Sequence, residues 1–172
     1  MKRFASIAVL LLLLAGCAQT PAASPSVPPT DKTTPQTETG FAYTYKSVPI
    51  TLGAKADDFI AAAGEPTKVF ESPSCAFEGI DKILYYPGFV INTYPDNGVD
   101  FILSVVFEDD SVKTPEGIFL GSSAADVESK YGKAQTSDAT QLKYVKGDTS
   151  LTFLLEDGAV SDISYRYTKA GV

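Results

Sequence analysis

The amino-acid sequence predicts an α+β fold: tandem helix-plus-three-strand repeats that form one antiparallel sheet with both helices on one face. Three observations predict it. An eleven-residue glycine spacing occurs twice, Gly53 to Gly64 and Gly121 to Gly132, with the copies offset by 68 residues. Inside each spacing, apolar residues recur at helical intervals: Ala56, Phe59, Ile60 and Ala63 in the first, Ala124, Val127 and Tyr131 in the second. After each helix, segments that alternate apolar and polar residues show the period of two that a half-buried strand requires. Neither short helix can bury its stripe alone, so a shared sheet is expected to cover both.

The chain opens with Lys2 and Arg3, an apolar run from Phe4 to Ala15, and then Gly16-Cys17. Basic residues, a short apolar stretch and small residues at a cut are the layout of a secretory signal. The run has twelve positions, Ser6 among them, whereas a membrane-spanning helix needs roughly 18 or more apolar residues. Leu14-Ala15-Gly16-Cys17 resembles the lipobox of bacterial lipoproteins. The resemblance implies that the Cys17 thiol takes a diacylglyceryl group and that signal peptidase II cuts between Gly16 and Cys17. Residues 1–16 would then be the signal peptide, and the acyl chains would hold the protein at a membrane, on the extracytoplasmic side of either the cell membrane or the outer membrane. Ala18 comes next after the cysteine, so the Asp associated with inner-membrane retention is absent there.

Residues 17–40 read as a tether. Pro21, Pro25, Pro28, Pro29 and Pro35 fall among Ala, Ser, Thr and Gln, and Val27 is the one large apolar residue. Such a segment buries too little surface to offset its ordering entropy. A polyproline stretch rises about 3.1 Å per residue, so this tether reaches up to roughly 70 Å.

The domain proper spans 41–172, with the repeats at about 50–110 and 118–168. Phe41, Tyr43 and Tyr45 alternate with Ala42, Thr44 and Lys46, predicting a strand. The first helix comes after Ile50-Thr51-Leu52-Gly53 and stops at Gly64, with Pro66 barring continuation. Strands are predicted over Ile83 to Tyr86, Phe89 to Tyr94 and Phe101 to Glu108, separated by Pro87-Gly88 and Pro95-Asp96-Asn97-Gly98 turns. The second helix comes after Ile118-Phe119-Leu120-Gly121. Ser123 and Asp126 match a capping box at its start, a role that Lys55 is unable to fill in the first. Gly64 and Gly132 occupy the place of a left-handed C-terminal cap. Leu142 to Val145, Leu151 to Glu156 and Val160 to Tyr167 complete the second set of strands.

A tandem of such units on the pattern Leu-Gly, four residues, Asp, an apolar residue, four residues, Gly resembles the β-lactamase inhibitor protein fold and the small lipoproteins of the barrel-assembly scaffold. The resemblance covers about residues 50–168. It implies the fold, and no functional residue carries across, because no inhibitory or assembly motif is matched. Disulfides present in the inhibitor have no counterpart, since Cys75 is the one cysteine besides Cys17.

Composition narrows the chemistry. Loss of residues 1–16 moves the formal charge from −7 to −9, and no Lys or Arg cluster occurs after Arg3, which disfavours nucleic acid as a partner. With no His in the chain, a Ser-His, Cys-His or His-ligated metal mechanism lacks its essential residue. Cys75 is a nucleophile candidate without an evident activating base, and a small half-buried role explains it more simply. Asp96-Asn97-Gly98-Val99-Asp100 and Glu108-Asp109-Asp110 offer oxygen ligands of the type calcium prefers, but they also read as a hairpin turn and a charged strand end. No catalytic residue, metal site or cofactor is therefore assigned.

The aromatics Tyr85, Tyr86, Phe89, Tyr94, Phe107, Tyr144, Phe153, Tyr165 and Tyr167 lie on predicted strands, and most are expected in the core. Any left on the open sheet face would suit protein or glycan recognition, with an envelope or extracellular protein the expected partner. The expectation is thus a membrane-anchored, non-catalytic protein-binding or scaffold module, the rival being a carboxylate- or thiol-dependent cell-envelope enzyme. Cys17→Ala is expected to abolish incorporation of a fatty-acid analogue in growing cells; undiminished label on the variant would contradict the anchoring.

Overall fold

The computed structural model describes residues 40–170; Gly16, Cys17 and most of the proline-rich tether lie outside them. It corrects the α+β reading. The protein is mostly β, dominated by a large eight-stranded antiparallel sheet, and is not built of tandem helix-plus-three-strand repeats. The elements in order are β1 (Tyr43–Tyr45), β2 (Val48–Ile50), α1 (Ala56–Ala63), β3 (Lys68–Pro73), β4 (Ile80–Tyr86), β5 (Phe89–Asp96), β6 (Val99–Phe107), α2 (Ala124–Tyr131), β7 (Thr136–Ser137), β8 (Gln141–Lys146), β9 (Thr149–Glu156) and β10 (Ala159–Tyr167).

The sheet order is β3-β4-β5-β6-β10-β9-β8-β7, and β1 pairs with β2 in a separate hairpin. Strands β2, β3 and β7 were beyond the reach of the alternation rule for a physical reason. That rule detects strands with one buried face, but β3 is exposed along nearly its whole length and β7 has two exposed residues. Strand β2 is three residues long, too short to show a period. Lys46 and Ser47, both at positive φ (48° and 66°), turn β1 into β2.

One apolar core holds these pieces together. Ala56, Phe59 and Ala63 of α1 and Val127 of α2 bury against Leu84, Ile91, Val105, Phe153 and Ile163 of the sheet. Tyr43 packs edge-on to Phe89 and Phe107, at 5.3 and 5.0 Å between ring centroids, so the small hairpin closes the same core. The segment before α1 is laced to β6, with Gly53 N–H donating to Ile102 O at 2.8 Å and Ile102 N–H to Ala54 O at 2.9 Å. The segment before α2 is laced to β10 by Gly121 N–H to Val160 O and Val160 N–H to Ser122 O, both 2.8 Å.

Helix starts differ as their residues require. Ser123 Oγ accepts from Asp126 N–H at 3.1 Å while Asp126 Oδ2 accepts from Ser123 N–H at 3.2 Å, a reciprocal capping box. Lys55 supplies no side-chain cap to α1. Helix ends are alike: Tyr86 Oη donates to Gly64 O at 2.9 Å and Tyr144 Oη to Gly132 O at 3.0 Å. The backbone at these glycines departs from the left-handed cap expected of them. Gly132 sits at φ 75°, ψ −154° and Gly64 at φ 97°, ψ 164°, a region open essentially to glycine alone.

Nothing lies within 4 Å of where a Cβ on Gly132 would sit, so an alanine there acts through the backbone alone. Gly132→Ala is expected to cost about 1–3 kcal/mol on denaturant titration, and Gly132→Asn as much, because asparagine tolerates the left-handed helical region but not this one. Full stability of the Asn variant would contradict that backbone assignment.

Burial also sets an alkaline limit. Burial first, and then nearby Glu65 and Tyr45, pushes the Tyr86 phenol up to about 12, and burial raises Tyr43 and Tyr144 as well. Each folded pKa lies above the unfolded value of about 10, so the stabilisation is complete below about pH 10 and is lost as pH rises toward the folded values. Between about pH 10 and 12 the slope approaches roughly −1.4 kcal/mol per pH unit for Tyr86, and Tyr43 and Tyr144 add to the fall. Denaturant midpoints measured across this range check it, with a shallower fall expected for Tyr86→Phe; a flat profile would contradict it.

Candidate functional site

The broadest organised surface is the sheet face turned away from the helices, and strand register defines it. Leu84 and Tyr86 belong to the core, so Ile83 and Tyr85 between them point the other way. Cross-strand pairing then carries that face across the sheet. One row runs Phe70, Ile83, Asn92, Ser104, Arg166, Ser150, Val145. Its neighbour runs Lys68, Tyr85, Val90, Val106, Ser164, Thr152, Lys143.

The two rows divide the face chemically. On β3 to β6 they carry Phe70, Ile83, Tyr85 and Val106, an apolar and aromatic half in which Val90 is buried between its neighbours. On β10 to β8 they carry the half-buried hydroxyls of Ser164 and Thr152 with the cations of Arg166 and Lys143, while Ser150 is buried beneath its neighbours. Asn92 Nδ2 donates to Ser104 Oγ at 2.9 Å at the border between them. Lys68 Nζ lies 5.2 Å from the centroid of the Tyr85 ring, holding that ring at the apolar edge. Phe70 and Val145, at opposite ends of one row, are 49% and 44% exposed, so both ends are open to a large ligand.

Of the strand aromatics, Tyr86, Phe89, Phe107, Tyr144, Phe153 and Tyr165 are in the core. Tyr85 is on the outer face. Tyr94 and Tyr167 stack on each other at the end of the sheet, 6.4 Å apart and 11° from parallel, with Phe101 and Phe77 also against Tyr94. Arg166, Lys143 and the hydroxyl residues escape a search for site chemistry, because polar residues at alternate strand positions look like ordinary solvated surface. Phe70 escapes too, lying on the strand that shows no alternation.

The remaining candidates are placed apart. Cys75 is exposed, in the turn between β3 and β4 that Ser74 closes through Ser74 N–H to Gly79 O at 3.0 Å. Asn97 and Gly98, at φ 49° and 75°, form the β5–β6 turn, and Asp100 reaches back to Lys82 Nζ at 2.8 Å. Asp109 Oδ1 accepts from Ser111 N–H at 2.9 Å, and hydrogen bonding to Ser111 holds its carboxyl below the usual range. Among the described residues, no three Cys, Asp or Glu side chains stand close enough to share a metal ion, and no helix is long and apolar enough to cross a membrane.

Comparison with protein-family models, with curated proteins and with solved structures finds no match for the chain. The resemblance to the inhibitor and barrel-assembly folds thus rests on the sequence pattern alone.

Proposed function

We propose that the chain is a lipid-anchored extracytoplasmic lipoprotein acting as a non-catalytic protein-binding or scaffold module that meets its partner with the outer sheet face. The observation that carries this reading is the pair of seven-residue rows, apolar and aromatic at one end and hydroxyl-rich and cationic at the other. A protein interface combines these features: aromatic anchors that lose little entropy on binding, flanked by polar groups that fix register. The lipobox around Cys17 supports attachment to the cell membrane or outer membrane, and the proline-rich tether supports a domain held off the bilayer. An acidic chain that gathers Lys68, Lys143 and Arg166 on one face supports a partner whose complementary patch carries carboxylates.

Photo-crosslinking in the native host tests this. A photoreactive side chain at Ser164, on the outer face, is expected to give a discrete protein adduct, whereas one at exposed Lys130 of α2 gives none. Tyr85→Asp should reduce the Ser164 adduct at least tenfold without lowering thermal stability, while Cys75→Ser and chelator leave it unchanged. Equal adducts from Ser164 and Lys130, or loss of the adduct in Cys75→Ser, would contradict the reading.

A further inference from the structure

The two edges of the sheet are finished differently. At the β7–β8 edge, Gln135 closes the ladder where β7 stops: its N–H donates to Lys143 O at 2.9 Å, and its side-chain Oε1 accepts from Val145 N–H at 3.1 Å. That edge offers little backbone to a newcomer. Strand β3 at the other edge runs six residues, and among the described residues no helix, loop or side chain pairs with its outer side.

Hydrogen-bond phase tells which groups are free. Ser74 N–H bonds Gly79 O across the end of the β3–β4 ladder, so the alternate residues Ser72, Phe70 and Lys68 also bond inward. Val69 and Glu71 therefore direct N–H and C=O outward. Pro73, the next in that phase, has no N–H and ends the open stretch.

Beside this edge, on the helix side, lies a groove of about 210 Å³ between α1 and the β3–β4 pair. Its floor is apolar, formed by Ile60, Pro66, Val69 and Leu84. Its charged lining is mostly acidic, with Asp57, Glu65, Glu71 and Asp100 against one ammonium, Lys82. That ammonium is already engaged, 2.8 Å from Asp100 and 3.6 Å from Glu71, while Asp57 and Glu65 make no ion pair among the described residues.

We infer that β3 takes up an extended segment of a partner protein as a ninth strand, and that this segment carries a Lys or Arg whose side chain enters the groove between α1 and β3. Strand addition uses the outward groups of Val69 and Glu71 for affinity, and alternate side chains of the guest for specificity. Guest residues on the groove side meet an apolar floor and surplus negative charge, which selects an apolar stem ending in a cation. On the opposite side the guest continues the apolar half of the outer face next to Phe70, so the inference rests on the binding role proposed above and names the partner's chemistry.

The test uses the full chain in detergent and two eight-residue peptide libraries capped at both ends. One fixes Lys or Arg at the fourth position with Val, Ile, Thr or Tyr elsewhere; the other fixes Glu there. The basic library should be retained at least tenfold over the acidic one and should slow hydrogen exchange at the Val69 and Glu71 amides. Val69→Pro removes one outward N–H without touching the β3–β4 ladder, and it should abolish retention, as should N-methylation of the peptides. Asp57→Asn with Glu71→Gln should erase the preference for the basic library. No retention, equal retention of both libraries, or slowed exchange confined to other strands overturns the inference. So does protection of Val69 and Glu71 that rises with protein concentration alone, which would make the guest a second copy of this chain. In cells, a Ser164 adduct that survives Val69→Pro but not Tyr85→Asp overturns the edge site and keeps the outer-face reading, whereas survival in both variants removes that reading as well.

Discussion

Everything in this molecule depends on the seam between β6 and β10. Two antiparallel meanders, β3 to β6 and β7 to β10, meet there through the pairs Val105↔Tyr165, Val106↔Ser164 and Ser104↔Arg166. Without the seam each meander would end in an open edge carrying Val105 or Tyr165, side chains that are almost wholly buried in the assembled sheet. Burying one large apolar side chain contributes about 1.5–3 kcal/mol, so a short ladder that closes the core over Val105, Tyr165 and Phe107 outweighs its own few hydrogen bonds. The segments leading into both helices are laced to β6 and β10 themselves, so the seam positions the helices as well as the strands.

The outer face is a direct consequence. The row from Phe70 to Val145 is continuous only because Ser104 and Arg166 pair across the seam, and the neighbouring row only because Val106 and Ser164 do. This face is built on paired strands rather than loops, so its geometry is set by the same ladders that form the core beneath it. The helix side serves as support: Tyr86 and Tyr144 hold the glycine ends of α1 and α2 by one hydrogen bond each. Where that support stops, between α1 and the uncovered β3, the sheet keeps an unfinished edge beside a negatively charged groove.

Sequence reasoning reached those elements that have one wet and one dry side. The strands around Ile83, Phe89, Phe101, Leu142, Leu151 and Val160 show it, as do both helices and the capping box of Ser123 with Asp126. It misjudged the fold class, because edge strands such as Lys68–Pro73 bury neither face and leave no periodic trace. The faces of individual residues were less legible. Register slips between Asn92 and Thr93 and between Val160 and Asp162 shift the alternation mid-strand, so counting by twos from a turn misassigns the residues beyond each slip. Tyr85 and Arg166 acquire meaning only through neighbours far away in sequence. Cys17 is the opposite case, legible from four adjacent residues and outside the described structure.

Native-state hydrogen exchange tests the central claim, that the seam makes one sheet and one core out of two meanders. Amides in β5 and β6 and amides in β9 and β10 should share one opening free energy, equal to the global stability from denaturant titration. Val105→Lys, which places a charge in the seam, should lower both sets together. Two distinct opening energies, with β3–β6 and β7–β10 exchanging independently and Val105→Lys lowering only the first, would contradict the account.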